Sequence, residues 1–244
     1  LLRLEERFLN AMAVPEQLLY DNWLLRYAPH DVKRSRSINV LAASHLPLDE
    51  KLDYCELFHR TWGQAPLYRL TSLHGPDTDD ALAARGYRRF DESIVMTAAL
   101  QELPGPPPGL RFEPLDAERF VRVSGSLRAA TPEARTAHRR RLQYSPLPQF
   151  RLSIWQGDTL LGAGLTMRED EWAGIFDIHV DAEQRRRGYG RALCHYLLEQ
   201  ARLWGSEHAW LAVEAENEPA LRLYESLGFR EAYRYWYREG PDLK

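Results

Sequence analysis

The stretch that constrains this chain most is residues 180–193, VDAEQRRRGYGRAL, where a strand runs into an arginine- and glycine-bearing turn and then into an amphipathic helix. Such a junction is an anion cradle. The first N–H groups of a helix have no intrahelical acceptor, glycines let a ligand approach the backbone, and the positive end of the helix dipole adds to both. A diphosphate fits that description. The plainer alternative is a solvated basic patch of Arg185, Arg186 and Arg187, with glycines that merely end a strand.

Two other phosphate-binding designs fit less well. A dinucleotide fold needs a third glycine, an acidic residue about 20 positions on and parallel strands beforehand. Here Leu193 stands at the third glycine position and the preceding strands read as antiparallel. A P-loop needs Gly-Lys-Ser/Thr, which does not follow.

Charge and length narrow the field further. The 244 residues suffice for one large or two small domains. Lys+Arg 32 against Asp+Glu 35 gives a net charge of -3, so no global positive field recommends nucleic acid as a partner. No apolar run approaches the roughly 20 residues that span a bilayer, so no membrane partner is expected. Cys55 and Cys194 stand far apart without metal-ligand spacing, which argues against both a disulfide framework and a metal. The opening LLRLEERFL lacks the pattern of a signal peptide, and a cytoplasmic protein is expected.

Periodicity reads as mixed α and β throughout, the α+β class. Residues 103–109, LPGPPPG, break it, because proline removes donors and fixes φ. The expected division is therefore residues 1–103 and 110–244. In the first part the spacing predicts helices over 2–13, 49–62 and 77–85 and strands over 23–28, 37–42, 67–70 and 93–100. In the second it predicts strands over 110–115, 150–155, 160–168, 172–180, 208–213 and 229–237, with helices over 116–130, 132–144, 189–203 and 218–227. Residues 81–100 and the segment from Ala220 onward echo each other as helix, glycine plus aromatic, strand. Duplication and common helix-stop chemistry explain the echo equally well.

Val180, Arg185, Gly188 and Gly190 match, position by position, the signature of the GNAT superfamily of N-acetyltransferases, with Ala182 where the family has proline. Asn217, Ala220, Leu223, Tyr224, Gly228 and Phe229 match a second element of that family. The chain thus resembles a GNAT protein over residues 110–244. The resemblance implies a twisted sheet whose two central parallel strands, 172–180 and 208–213, part to admit the pantetheine arm of acetyl-CoA, the expected cosubstrate. Backbone groups of Ile178 and Val180 would meet that arm. Arg185, Arg186, Arg187, Gly188, Tyr189, Gly190 and Arg191 would meet the phosphates, with Asn217 nearby as a helix cap. No metal is expected.

For catalysis the resemblance puts the hydroxyl of Tyr224 near the cofactor sulfur, as acid to the departing thiolate; a core tyrosine beside Leu221 and Leu227 is the alternative. Asp177 and His179 are the local candidates for the base, with Glu214 and Glu216 on the next strand. Strict alternation puts Asp177 and His179 on one face and Phe176, Ile178 and Val180 on the other, unless a bulge breaks the parity. Trp155, Trp172, Trp210, Tyr233 and Trp236 are candidates for an acceptor pocket or for plain packing. The first part has no Arg/Gln-x-x-Gly-x-Gly turn, so it reads as a degenerate GNAT-like or substrate-selecting domain. Its segment 33–39, KRSRSIN, suits either an acceptor's carboxylate or a solvated loop.

The expected acceptor is a primary amine of a small molecule such as an amino acid. Acetylation of a protein N-terminus or lysine, and a silent acyl-CoA-binding sensor, are the alternatives. A homodimer is compatible with this reading.

Overall fold

The computed structural model describes residues 1–28, 32–43, 45–75, 77–102 and 108–240. The proline-rich break therefore lies largely outside the described residues. By contact density the chain forms two compact units: Leu1–Val95 with Glu214–Glu216 and Tyr233 onward, and Met96–Val213 with Asn217–Ala232.

The first unit holds α1 (Leu2–Ala11), β1 (Gln17–Tyr20), β2 (Trp23–Arg26), β3 (Ile38–Val40), α2 (Leu48–Thr61), β4 (Leu67–Leu70), α3 (Thr78–Ala84) and most of β5 (Arg88–Ala99). Strand β1 was not foreseen, because QLLY offers no alternation. It forms through a hairpin in which Asp21 and Asn22 both take positive φ, 41° and 66°, between the paired Tyr20 and Trp23. That two-residue geometry suits the twist of a hairpin. The core packs Trp23, Leu25, Ile38, Leu52, Tyr68 and Leu82 together.

Segment 33–39 is neither a free cationic site nor a solvated loop. Lys33 pairs with Asp91 and lies over the Phe90 and Tyr237 rings, Arg34 lies over Phe8, and Ser35 and Ser37 are buried.

The second unit holds β6 (Arg111–Pro114), α4 (Ala117–Leu127), α5 (Pro132–Tyr144), β7 (Gln149–Gln156), β8 (Thr159–Glu169), β9 (Trp172–Val180), α6 (Tyr189–Leu203), β10 (His208–Glu214, all but its last residue), α7 (Glu218–Ser226) and the start of β11 (Arg230–Glu239). Side-chain caps begin α4, α5 and α7. Asp116 accepts from the Arg119 amide at 2.7 Å, Thr131 from Ala134 at 3.2 Å and Asn217 from Ala220 at 3.2 Å, each filling one of the orphan donors at a helix start.

The strands of this unit run in the order β10-β9-β8-β7-β6, antiparallel except for β9 and β10, which are parallel. Helix α6 buries Leu193, Leu197 and Ala201. Its Leu193 and Leu197 lie against the face of β8 and β9 that carries Gly164 and Ile178.

Helices α3 and α7 stop identically. The amides of Tyr87 and Phe229 reach back to the carbonyls of Leu82 and Tyr224, while Gly86 and Gly228 sit at φ 85° and 91°. These are the paired hydrogen bonds of a left-handed glycine stop, so the sequence echo has the same local geometry in both places.

Candidate functional site

Strands β9 and β10 are in register from His208↔Trp172 to Trp210↔Gly174, and there the pairing ends. Both strands continue, to Val180 and Glu214, so beyond Gly174 the chains part.

Residues on the far side of β9 show which groups face that gap. The Asp181 amide donates to the Leu161 carbonyl at 2.9 Å, which turns Asp181, and by alternation His179, toward β8. Val180, registered opposite Gly162, has its N–H and C=O turned the other way by the same alternation. The β8 pairing then shifts, with Ala163 opposite His179 but Leu165 opposite Phe176. Asp177 and Ile178 together face Gly164 alone, a bulge in which Asp177 takes φ 51°.

This bulge corrects the expected parity. Ile178 stays on the α6 face, since a β-carbon on Gly164 would stand 2.5 Å from its Cδ1. Asp177 turns to the opposite face, where α5 presents His138. Phe176 is on that second face too. It is paired with Leu165, next to Gly164 in β8, and its ring fills the space over Gly174 against Trp210 at 5.2 Å. Strict alternation had placed Phe176 with Ile178.

After β9 a turn at Ala182–Gln184, capped by Asp181, leads to residues 185–191, whose amides have no protein acceptor among the described residues. Arg186 and Gly188 both take positive φ, 61° and 84°, which points successive N–H groups into one concavity. Gly188 is the cap residue of α6, so the helix dipole ends at the same place. Arg185, Arg186 and Arg187 are exposed. Arg187 is held by Gln184 at 3.1 Å, Arg191 by Ser226 at 3.1 Å, and the Tyr189 hydroxyl reaches Gln156 at 3.2 Å. Gly190 lies beside Val180 and Leu223, which joins the helix start to the end of β9 and to α7.

The sequence model of the Acetyltransferase (GNAT) family matches residues 120–229, the span that holds the parting strands and the cradle. The mycothiol acetyltransferase of Mycolicibacterium vanbaalenii is 30% identical over 215 residues, 75% of this chain and 71% of that protein. The chain belongs to the GNAT family of acetyltransferases. An uncharacterized N-acetyltransferase of Bacillus subtilis, YobR, is 26% identical over 225 residues, covering 88% of this chain and 89% of its own length. A GCN5-related N-acetyltransferase from Kribbella flavida shares the fold at TM-score 0.76 with 13% identity, over 98% of this chain and 95% of that one.

Within this GNAT unit the candidate catalytic groups differ in environment. Tyr224, on α7, packs its ring against Phe229 at 6.0 Å, and its hydroxyl makes no hydrogen bond among the described residues. Burial, with Cys194 nearby, raises its pKa well above the ordinary phenol range, so it stays protonated. His179 is pushed down to about 4, chiefly by burial, with Asp177 opposing and Arg128, His138 and Arg185 assisting. Its imidazole is neutral at pH 7, and its Nε2 lies buried with no hydrogen-bond partner among the described residues.

Burial alone would raise Asp177. The contact with His138 and the charges of Arg141 and Arg128 outweigh it and hold the carboxyl well below the usual range. As a free proton acceptor it is accordingly weak. His138 and Arg128 were not among the expected site residues. The available signal was a histidine on the buried stripe of α5 together with Leu142, which by itself reads as packing.

Of the five aromatic candidates, Trp210 stands beside the bulge. Trp172 stacks on His208 at 4.6 Å, and Trp155 donates to Ser153 at 2.9 Å. Tyr233 and Trp236, with Glu214 and Glu216, belong to the first unit. Among the described residues no group of three or more His, Cys, Asp or Glu is placed to hold a metal, and no helix is long and apolar enough to cross a membrane.

Proposed function

We propose that this GNAT protein transfers an acetyl group from acetyl-CoA to the primary amine of a small molecule, an amino acid or related metabolite. The observation that carries the reading is the parting of β9 from β10 beyond Gly174, in line with the unclaimed amides of residues 185–191. The fit to the cosubstrate is chemical. An edge of unpaired strand suits the amide groups of a pantetheine arm, and a dipole-backed nest of N–H groups suits a pyrophosphate. Ile178 and Val180 would hold the arm, residues 185–191 the phosphates, and Asn217 would flank them.

The nitrogen lone pair of a neutral amine attacks the thioester carbonyl carbon. The Ile178 amide is the donor for the oxygen that gains charge, in a site where such donors are worth most. As the C–S bond breaks, Tyr224 gives its proton to the sulfur. The amine's proton leaves to His179 or to a water beside it, with Asp177 nearby to offset the charge. The aromatic pair of Phe176 and Trp210 beside the bulge, and a relative named for mycothiol, support a small acceptor. The first unit, residues 1–103 in this reading, is a degenerate GNAT-like or substrate-selecting domain.

Calorimetric titration with acetyl-CoA tests the cofactor half, using the parent and a Gly188→Val/Gly190→Leu variant. Micromolar binding that disappears in the variant is expected. A parent that binds no acetyl-CoA overturns the reading. Turnover is then screened with free amino acids and amines against peptide N-termini and lysines, and activity confined to peptides would replace the small acceptor with a protein.

A further inference from the structure

The site contains one buried side chain to which the transfer chemistry assigns nothing. His138 is 1% exposed, on a helix where Arg139, Arg140 and Arg141 follow it, and it is constrained from three sides. The edge of the Phe120 ring packs on it at 5.7 Å and 71°. Arg128 Nη2 lies 3.1 Å from its Nδ1. A guanidinium can only donate, so Nδ1 must be the acceptor and a neutral ring carries its hydrogen on Nε2. Nε2 in turn lies 2.8 Å from Asp177 Oδ2, a bent contact whose N–H is not aimed along the line, so its strength is electrostatic.

What this chain of contacts holds is a piece of backbone. Asp177 is the bulge residue at φ 51°, in the left-handed region that a side chain other than glycine enters at a cost. The rotation at Asp177 sets the plane of the next peptide, and the hydrogen of that peptide belongs to Ile178. Phe176 and His179 are registered with Leu165 and Ala163 of β8, whereas Asp177 and Ile178 between them have no register partner of their own.

We propose that His138 is a positioning residue of the transfer reaction: seated between Arg128 and Asp177, it holds the β9 bulge in the form that aims the Ile178 amide away from β8. The inference rests on the acetyl-transfer reading above, and adds that the direction of its charge-stabilising donor is set from α5. His138 touches neither reactant. Its effect falls on the rate of the chemical step far more than on cofactor affinity, because the phosphate cradle at residues 185–191 and the Val180 backbone are built apart from the bulge and only the Ile178 amide is redirected.

The test compares the parent with His138→Ala, His138→Gln and Arg128→Met. Acetyl-CoA affinity is read by calorimetry, kcat by release of free CoA, and the amide shift of Ile178 by NMR without any ligand. A misaimed donor costs about a hundredfold when displaced by an ångström. His138→Ala is therefore expected to lower kcat by about tenfold to a hundredfold, move the Ile178 amide shift, and leave Kd within about twofold. Glutamine can donate from the same position as Nε2 and is expected to restore most of the rate. Should His138→Ala not fold, Arg128→Met, which removes the tautomer-fixing donor together with a positive charge near Asp177 and His179, is expected to lower kcat with the same unchanged Kd and to move the Ile178 amide shift.

An unmoved Ile178 shift with unchanged kcat overturns the proposal. So does a parallel loss of kcat, affinity and melting temperature that glutamine does not rescue, which marks His138 as merely structural. Failure of the parent to bind acetyl-CoA is a different result, since it removes the reading on which the proposal rests.

Discussion

Gly162 passes so close to His179 that a β-carbon on it would stand 2.6 Å from the His179 carbonyl oxygen. Two strands of the cofactor unit are thus locked together just beside the bulge. The corresponding approach at Gly164 is 2.5 Å, but there the neighbour is the terminal methyl of Ile178, which can rotate. Gly162→Ala is expected to cost about 1–3 kcal/mol and Gly164→Ala less, because a backbone carbonyl must move in the first case only. Urea unfolding of the two variants checks the order, and a larger loss at Gly164 would sink the argument.

Tyr224→Phe removes a hydroxyl that no described residue engages, so folding should be nearly unaffected. If that hydroxyl supplies the proton to the thiolate, kcat falls about a hundredfold while acetyl-CoA affinity holds. An unchanged kcat would return Tyr224 to the core.

The pKa of His179 lies at about 4 in the folded chain, against about 6.5 for an ordinary histidine. Below its ordinary value the unfolded chain takes up the proton first, so the stability tied to keeping His179 neutral is complete above pH 6.5. It is lost as pH falls through the window down to about 4. Melting temperatures of the parent and His179→Gln between neutral pH and pH 4.5 should converge on acidification. Parallel curves would falsify this assignment.

In the first unit Glu5 and Arg69, each 1% exposed, form a two-pronged pair to which the Tyr233 hydroxyl also donates. Burial works against the Arg69 charge, and Glu5 more than compensates, raising its pKa. Glu5→Ala leaves a guanidinium buried without its counter-charge, an expected loss of about 3–5 kcal/mol. Glu5→Gln, which keeps an acceptor, should lose less. Denaturant titration of the two variants measures the difference, and equal losses would show that charge alone, with nothing from the retained acceptor, holds the pair.

Local chemistry made most elements legible from residue order alone. Apolar residues at three and four spacing, caps at Asp116, Thr131 and Asn217, and glycine stops at Gly86, Gly205 and Gly228 are short-range signals, and the helices formed where those signals lie. The junction at residues 185–191 was legible for the same reason, since its free amides and positive φ follow from a strand, a turn and a helix start adjacent in sequence. Strand β1 was missed because only its partner β2 gives QLLY a reason to be extended. The bulge at Asp177 and Ile178 was undecidable locally, because one extra residue in β9 is defined against Gly164 in β8. His138 reaches Asp177 from α5, and Arg128 at the end of α4 reaches His138, dozens of positions earlier in sequence. No pattern of spacing joins groups whose meeting depends on how two helices pack across a sheet, so only the tertiary structure decided which face of β9 carries the charge.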